Sequence, residues 1–130
     1  MLNLFMDENY LATKVLDFSF EIHKNLGPGL LESVYEEILF YKIRNAGLNV
    51  TRQQGIPVNY EGIKIDIGFR ADLIVENKII IEIKSVEAIA PVHHKQLLTY
   101  LRLSGLKLGL LLNFNEALLK NGIHRIVNNL

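Results

Sequence analysis

From about residue 10 to 26, apolar residues recur at spacings of three and four: Leu11, Val15, Phe18, Ile22 and Leu26. That period predicts an amphipathic helix. Gly27-Pro28-Gly29 stops it, because proline cannot continue a helix and glycine accepts dihedrals that other residues avoid. A second helix is expected over about residues 30–46, on the stripe Leu31, Val34, Tyr35, Ile38 and Leu39, with Gly47 just past its end. The period then changes. Residues 48–54 and 56–60 read as two short extended segments, Glu61-Gly62 as a turn, and Ile63-Lys64-Ile65-Asp66-Ile67 as a half-buried strand of strict alternation. Residues 69–75 continue as strand, Glu76-Asn77-Lys78 is the expected hairpin loop, and residues 79–85 form a buried, isoleucine-rich strand. Pro91 suits the first turn of a third helix, running to about Leu103 and ended by Gly105. A buried leucine-rich strand follows over 107–112, then a loop over 113–122 with room for one helical turn, then an edge strand over 123–127. The order α-α-β-β-β-β-α-β plus that last strand describes a mixed central sheet flanked by helices, an α/β chain of the α+β kind.

Length and composition narrow the picture. A chain of 130 residues reads as one domain spanning 1–130. At that size roughly 68% of the unfolded surface is buried on folding, enough for a core without staples. There are 0 cysteines, which excludes disulfides, thiol catalysis and thiolate metal sites. No apolar run approaches ~18 residues, so no membrane span is expected. Asp7 and Glu8 fall in the short apolar N-terminal stretch, and no signal peptide is read there, leaving the cytoplasm as the default address. The formal net charge of +0 offers no general attraction for a polyanion. Attraction to phosphate must come from a local patch or a bound cation.

The candidate chemistry starts inside the strand Ile79-Ile80-Ile81-Glu82-Ile83-Lys84. Glu82 and Lys84 stand two apart and leave the same face. Charged groups in such a strand need a partner or a function, since desolvating them is costly. A three-residue loop over 76–78 sets Val75 opposite Ile79 and brings Asp72 opposite Glu82, with Cβ atoms about 4.5–5.5 Å apart. A two-residue loop would separate the acids, because an odd shift of register flips faces. Period two adds Arg70 and Lys84 to that face. Two close carboxylates repel unless something positive lies between them. Lys84 or Arg70 can serve, and so can a divalent cation such as Mg²⁺, which prefers carboxylate, carbonyl and water oxygens at ~2.0–2.1 Å. A lysine beside such an ion helps orient or deprotonate a water, or steadies charge developing on phosphate. The plainer alternative is a satisfied ion-pair cluster on a sheet face.

The third helix presents His93, Gln96 and Tyr100 on one side and packs with Leu97, Leu98 and Leu101. That polar stripe can hold a phosphate or place a water, or it is simply a polar flank. His94 is expected in solvent. Glu32 sits in the first turn of the second helix, where the macrodipole favours an acid. The functional alternative is a third carboxylate reaching the pair from across the sheet. Glu36, one turn on, is expected to face solvent. Gly27-Pro28-Gly29 lacks the Lys-Ser/Thr of a phosphate loop and reads as a turn.

Taken together these residues resemble the PD-(D/E)xK nuclease superfamily, and within it the small GxxExxY proteins. Gly29-Leu30-Leu31-Glu32-Ser33-Val34-Tyr35 matches the latter's naming motif. Arg70-Ala71-Asp72 and Glu82-Ile83-Lys84 resemble the two core motifs, with Ala71 where the superfamily name has proline. The run from His93 to Tyr100 resembles an H-x-x-Q-x-x-x-Y helix, and Gly109 to Phe114 the following strand. The resemblance covers about residues 10–128. It implies a restriction-endonuclease-like αβββαβ core with an extra N-terminal helix, and Mg²⁺-dependent hydrolysis of nucleic-acid phosphodiester bonds, with Mn²⁺ able to substitute. It also implies Asp72 and Glu82 as metal ligands with the Ile83 carbonyl as a third, and Lys84 as the catalytic lysine. Glu32 becomes the acid of the first core helix, with Gln96, Tyr100 and His93 in support. Arg70, Lys95, Arg102 and Lys107 are candidate substrate contacts. Nucleic acid, DNA more than RNA, is the expected partner. With no DNA-reading appendage, targeting falls to a homodimer or a partner protein. The rival expectation is a non-catalytic module on the same fold that binds nucleic acid or protein.

Overall fold

Helix α1 spans Glu8–Leu26 and α2 spans Glu32–Asn45. The computed structural model describes residues 6–130; the first five residues, on which the reading of no leader rests in part, lie outside the described residues, as does the Ile67 side chain. Asp7 starts α1 by accepting the Tyr10 N–H on Oδ1 at 2.8 Å. The expected stripe of α1 is buried at Leu11, Val15 and Ile22, whereas Leu26 is 45% exposed at the helix end. The stripe of α2 needs correction. Tyr35, Leu39 and Ile43 are buried, but Leu31 is 73% exposed. Leu31 is the extended residue before the helix, not part of it. The inward face therefore turns, and Glu36 lies on it.

The sheet has five strands in the order β1-β2-β3-β4-β5: Val50–Tyr60, Ile63–Val75, Ile79–Lys84, Leu108–Asn113 and Ile123–Val127. Only β3 and β4 run parallel, joined by α3 over Pro91–Ser104; the other neighbours are antiparallel. A two-residue hairpin suffices for an antiparallel pair, while a parallel pair needs a crossover such as α3. On one face α1 and α2 pack over Leu73, Val75, Ile79, Ile81, Leu110 and Leu112; on the other α3 packs over Ile74, Ile80 and Leu111. The run α2-β1-β2-β3-α3-β4 is the expected αβββαβ core, with α1 before it and β5 added at the edge. A 3-10 turn over Leu119–Gly122 supplies the helical turn expected before β5.

Two expectations about strands are overturned. The segments 48–54 and 56–60 are one strand, because the ladder runs through Gly55, which pairs with Arg70. The irregularity falls instead between Ile56 and Val58, at Pro57, which has no N–H to give. Opposite it, a Cβ on Gly68 would lie 2.7 Å from the Ile56 carbonyl oxygen, so only glycine fits that close approach. The alternating stretch after Gly62 is strand but not half-buried. It forms the tip of the β1–β2 hairpin, where Tyr60, Ile63 and Ile65 are 65%, 63% and 42% exposed. β3 pairs with β2 only at Leu73, Ile74 and Val75, leaving that tip beyond the sheet.

Candidate active site

The β2–β3 hairpin has the odd loop on which the convergence of the acids depends. Glu76 and Asn77 both take φ 52, and the Lys78 N–H closes the turn on the Val75 carbonyl at 3.0 Å. Val75 then pairs with Ile79, Ile74 with Ile80 and Leu73 with Ile81, which leaves Lys78 over as the extra residue. One step further the backbone ladder gives way to side chains. The Asp72 N–H donates to Glu82 Oε2 at 2.8 Å, and the Ile83 N–H donates to Asp72 Oδ2 at 2.8 Å. Each carboxylate thus fills the place a carbonyl would take, and the strands part around them. The pair shares the parity of Ile74 and Ile80, on the α3 side of the sheet.

The electrostatics follow from that placement. Burial raises the pKa of Asp72, against the pull of the Ile83 N–H, and the charge of Glu36 adds to the rise. Burial and then the charge of Asp72 push Glu82 up to about 8. The Lys84 ammonium, half-buried at the end of β3, draws both acids back toward ionisation. The metal-free site is therefore short of positive charge. Among the described residues no group of three or more His, Asp or Glu side chains is arranged to hold a metal. Two carboxylates with open lone pairs, completed by backbone carbonyl and water, nonetheless suit Mg²⁺, which keeps several waters and takes one or two carboxylates. They do not make an all-protein cage of the kind Ca²⁺ or structural Zn²⁺ requires.

Helix α3 contributes Tyr100. Its ring lies 4.8 Å from that of Phe69, and it is 5% exposed. Burial first, then the charges of Glu82 and Asp72, push its phenol up to about 12, opposed by a side-chain contact with Gln96. The phenol therefore stays protonated in the neutral range. His93 is turned to another use. Its Nδ1 accepts the Ala90 N–H at 3.1 Å while its own N–H reaches the Ala90 carbonyl at 3.0 Å, fixing the start of α3. His94 is not free in solvent, because its ring meets that of His124 edge-on at 4.8 Å.

The glycine-rich motif makes a clamp on the end of β3. Tyr35, fully buried and stacked on Phe114 at 4.5 Å, donates its hydroxyl to the Gly27 carbonyl at 2.6 Å and accepts the Leu30 N–H at 3.2 Å. Gly29, at φ 98, allows the chain to turn there. Ser85, next after Lys84, donates Oγ to the Leu30 carbonyl at 2.7 Å and its N–H to Glu32 Oε2 at 3.1 Å. Glu32 thus reaches the strand end beside Lys84.

Glu36 is the larger surprise. It is 7% exposed, with Arg52 Nε at 2.6 Å on one oxygen and Gln53 Nε2 at 2.8 Å on the other. The same Gln53 Nε2 lies 3.1 Å from Asp72 Oδ1. Sequence reasoning missed Glu36, Arg52 and Gln53. The signal was the β1–β2 register: Arg52 pairs with Leu73 and Gln54 with Ala71, so Gln53 stands across from Asp72. Splitting β1 at Gly55 hid that register. Asn113 was also missed. It is fully buried, donates Nδ2 to the Val86 carbonyl at 2.9 Å, and accepts the Val86 and Asn115 N–H groups at 3.1 and 3.2 Å.

The other predicted contacts lie apart. Arg70 is exposed, donates Nη1 to the Gln53 carbonyl at 3.1 Å, and lines a cleft of about 220 Å³ with Gly55, Asp66, Gly68 and Phe69. Lys95 and Arg102 are exposed on α3, and among the described residues no ion pair ties either to the carboxylates. Lys107 precedes Leu108, which pairs with Ile79, so it sits at the far end of the strands from Lys84 and Asn113. Among the described residues no helix is long and apolar enough to cross a membrane. No curated protein and no solved structure matches the chain significantly. A family model described as the PD-(D/E)XK nuclease superfamily matches residues 9–126. With nearly its whole length covered by that match, the chain belongs to the PD-(D/E)XK nuclease superfamily.

Proposed function

We propose that this protein is a Mg²⁺-dependent nuclease of the GxxExxY kind, hydrolysing phosphodiester bonds in nucleic acid, DNA before RNA, in the cytoplasm. Nucleases of the superfamily typically use divalent metals. One observation carries the reading: Asp72 and Glu82 anchor each other's strands through backbone N–H groups, and the Lys84 charge at the end of the same strand favours ionisation of both. Asp72 and Glu82 would hold the ion, with the Ile83 carbonyl as a further ligand. When bound, the ion supplies Lewis acidity toward the phosphoryl group and makes water a better nucleophile.

The remaining work falls to the chain. The Lys84 ammonium orients the attacking water and steadies charge developing on the phosphate. Glu32, fixed on the Ser85 N–H, helps keep the β3 end in place and limits where water can stand. Gln96 and Tyr100 brace the α3 side, with the Tyr100 phenol kept neutral by burial and by the charges of the two acids. His93 supports them by holding the first turn of α3. Arg70, Lys95 and Arg102 serve as phosphate contacts along the strand. A homodimer or a partner protein supplies targeting.

Labelled DNA and RNA should be cut by the wild-type protein with Mg²⁺ or Mn²⁺ and not with EDTA. Lys84→Ala and Asp72→Asn should each lower the rate by at least about 100-fold. Cleavage that survives both substitutions would belong to a contaminant. A wild-type protein that cuts neither polymer with either ion would favour the non-catalytic module.

A further inference from the structure

Gln53 adopts φ 54 in the middle of β1, a left-handed conformation that non-glycine residues seldom take. Such backbone strain persists only where surrounding contacts hold it, and here they do. Arg70 Nη1 holds the Gln53 carbonyl at 3.1 Å. The side-chain amide then spans two acids, reaching Glu36 Oε1 at 2.8 Å and Asp72 Oδ1 at 3.1 Å. Both contacts use the amide nitrogen, which has two hydrogens to give. Glu36 is itself fixed from behind, since Arg52 Nε takes its other oxygen at 2.6 Å.

We infer that Gln53 is a positioning residue for the cation site, and that Arg52 and Glu36 hold it in place. The inference rests on the metal reading given above. Asp72 has two oxygens, and Oδ2 is already turned toward the Ile83 N–H. Its remaining freedom is rotation of the carboxylate, and the Gln53 amide removes it. The amide also stands between Asp72 and Glu36, keeping a second negative group in register without letting the two collapse or drift apart. Groups that hold a metal's ligands change affinity when removed, even though they never touch the ion. The chain Arg52–Glu36–Gln53–Asp72 links α2, β1 and β2 and has a charged group at each end.

The test is Mn²⁺ affinity, measured by the loss of the free-ion electron paramagnetic resonance signal, on the full chain. Gln53→Met keeps the length and removes the donors. Because Gln53 is exposed, that variant should fold, and circular dichroism checks it. Gln53→Met and Glu36→Met should each weaken Mn²⁺ binding about 10-fold or more. The double variant should be no weaker than the worse single one, since both break one linkage. Glu36→Gln retains the acceptor for Gln53 and should stay within about 3-fold of wild type. Asp72→Asn serves as the marker of the site and should abolish binding. If Asp72→Asn abolishes binding while Gln53→Met stays within about 2-fold of wild type, the positioning role is overturned and the metal reading stands. Two single losses that multiply in the double variant also overturn it. A wild-type protein that binds no Mn²⁺ overturns the metal reading and this inference together.

Discussion

The backbone N–H of Asp72 is satisfied by the side chain of Glu82, at 2.8 Å, and not by a carbonyl of β3. The reverse contact runs from the Ile83 N–H to Asp72 Oδ2. This reciprocal arrangement explains why two acids can sit at the end of a buried hairpin. Neither leaves a ladder donor unpaired, so the polar cost of parting the strands is met by the acids themselves. What the arrangement does not remove is their mutual repulsion. On the metal reading, that remaining repulsion is what a bound cation would relieve.

The same repulsion sets the pH dependence of stability. The folded-state pKa of Glu82, about 8, lies above its ordinary 4.5, so between those values the folded chain keeps a proton that the unfolded chain has released. The resulting stabilisation is complete below about pH 4.5 and is lost as pH rises through about 8. Asp72, also raised, acts with the same sign. His124 acts against it: burial and then the charge of His94 lower its pKa, so its contribution is lost as pH falls. The metal-free protein is expected to melt about 5–15 °C lower at about pH 8.5 than at about pH 5.5, on the order of a few kcal/mol. Glu82→Gln keeps an acceptor for the Asp72 N–H and should flatten that slope. Saturating Mn²⁺ should raise the melting temperature more at the higher pH, because protons compete for the same oxygens. A melting temperature that climbs with pH in the metal-free wild type would count against a buried, repelling pair.

Tyr35 offers a test of the glycine-rich clamp. Its hydroxyl lies between the Gly27 carbonyl and the Leu30 N–H, and Leu30 in turn is tied to Ser85 beside Lys84. Tyr35→Phe keeps the stack on Phe114 and removes only the oxygen. It should cost about 1–2 kcal/mol, since the partners lose a bond but the loop is near water. The melting temperature should fall by about 3–8 °C. Cleavage should slow by about 10-fold through the looser β3 end, with Mn²⁺ affinity unchanged. A variant with wild-type stability would show that the loop is held by packing alone.

Much of this was legible beforehand, and the reasons are physical. The juxtaposition of Asp72 and Glu82 was readable because strand parity is rigid: a single assumption about the 76–78 loop fixes which residues lie opposite each other. Helix faces are less exact. Helix α2 starts about two residues later than expected, which leaves Leu31 outside it and exposed while Glu36 lies on the inward face, and nothing in the spacing of the stripe could fix that start. The third participant, Gln53, was hidden for a different reason. Gly55 invites a break in β1, yet its pairing with Arg70 carries the strand through, and only an unbroken strand sets Gln53 against Asp72. The tip of the β1–β2 hairpin shows the opposite failure. Alternation at Ile63 and Ile65 predicted strand correctly but could not say that no layer covers it.

Asn113 joins the stability of the fold to the position of Lys84. Lys84 lies at the end of β3, and its carbonyl accepts the Phe114 N–H at 2.9 Å, so the two strands still run together there. Beyond it the chain must cross to α3 without a strand to follow. The Asn113 amide supplies the missing template, binding both the N–H and the carbonyl of Val86 as a neighbouring strand would. Asn113→Ala leaves those groups and the Asn115 N–H without their partner, at about 1–3 kcal/mol. Gly122→Ala attacks the same point from the other side, since its Cβ would fall 2.4 Å from the Asn113 carbonyl oxygen. Both variants should melt lower than wild type, and amide hydrogen exchange should rise over residues 85–90. Cleavage should slow by about 10–100-fold while the Mn²⁺ affinity stays near wild type, because Asp72 and Glu82 keep their own backbone contacts. Equal losses of rate and metal affinity would place Asn113 in support of the acids instead of the lysine.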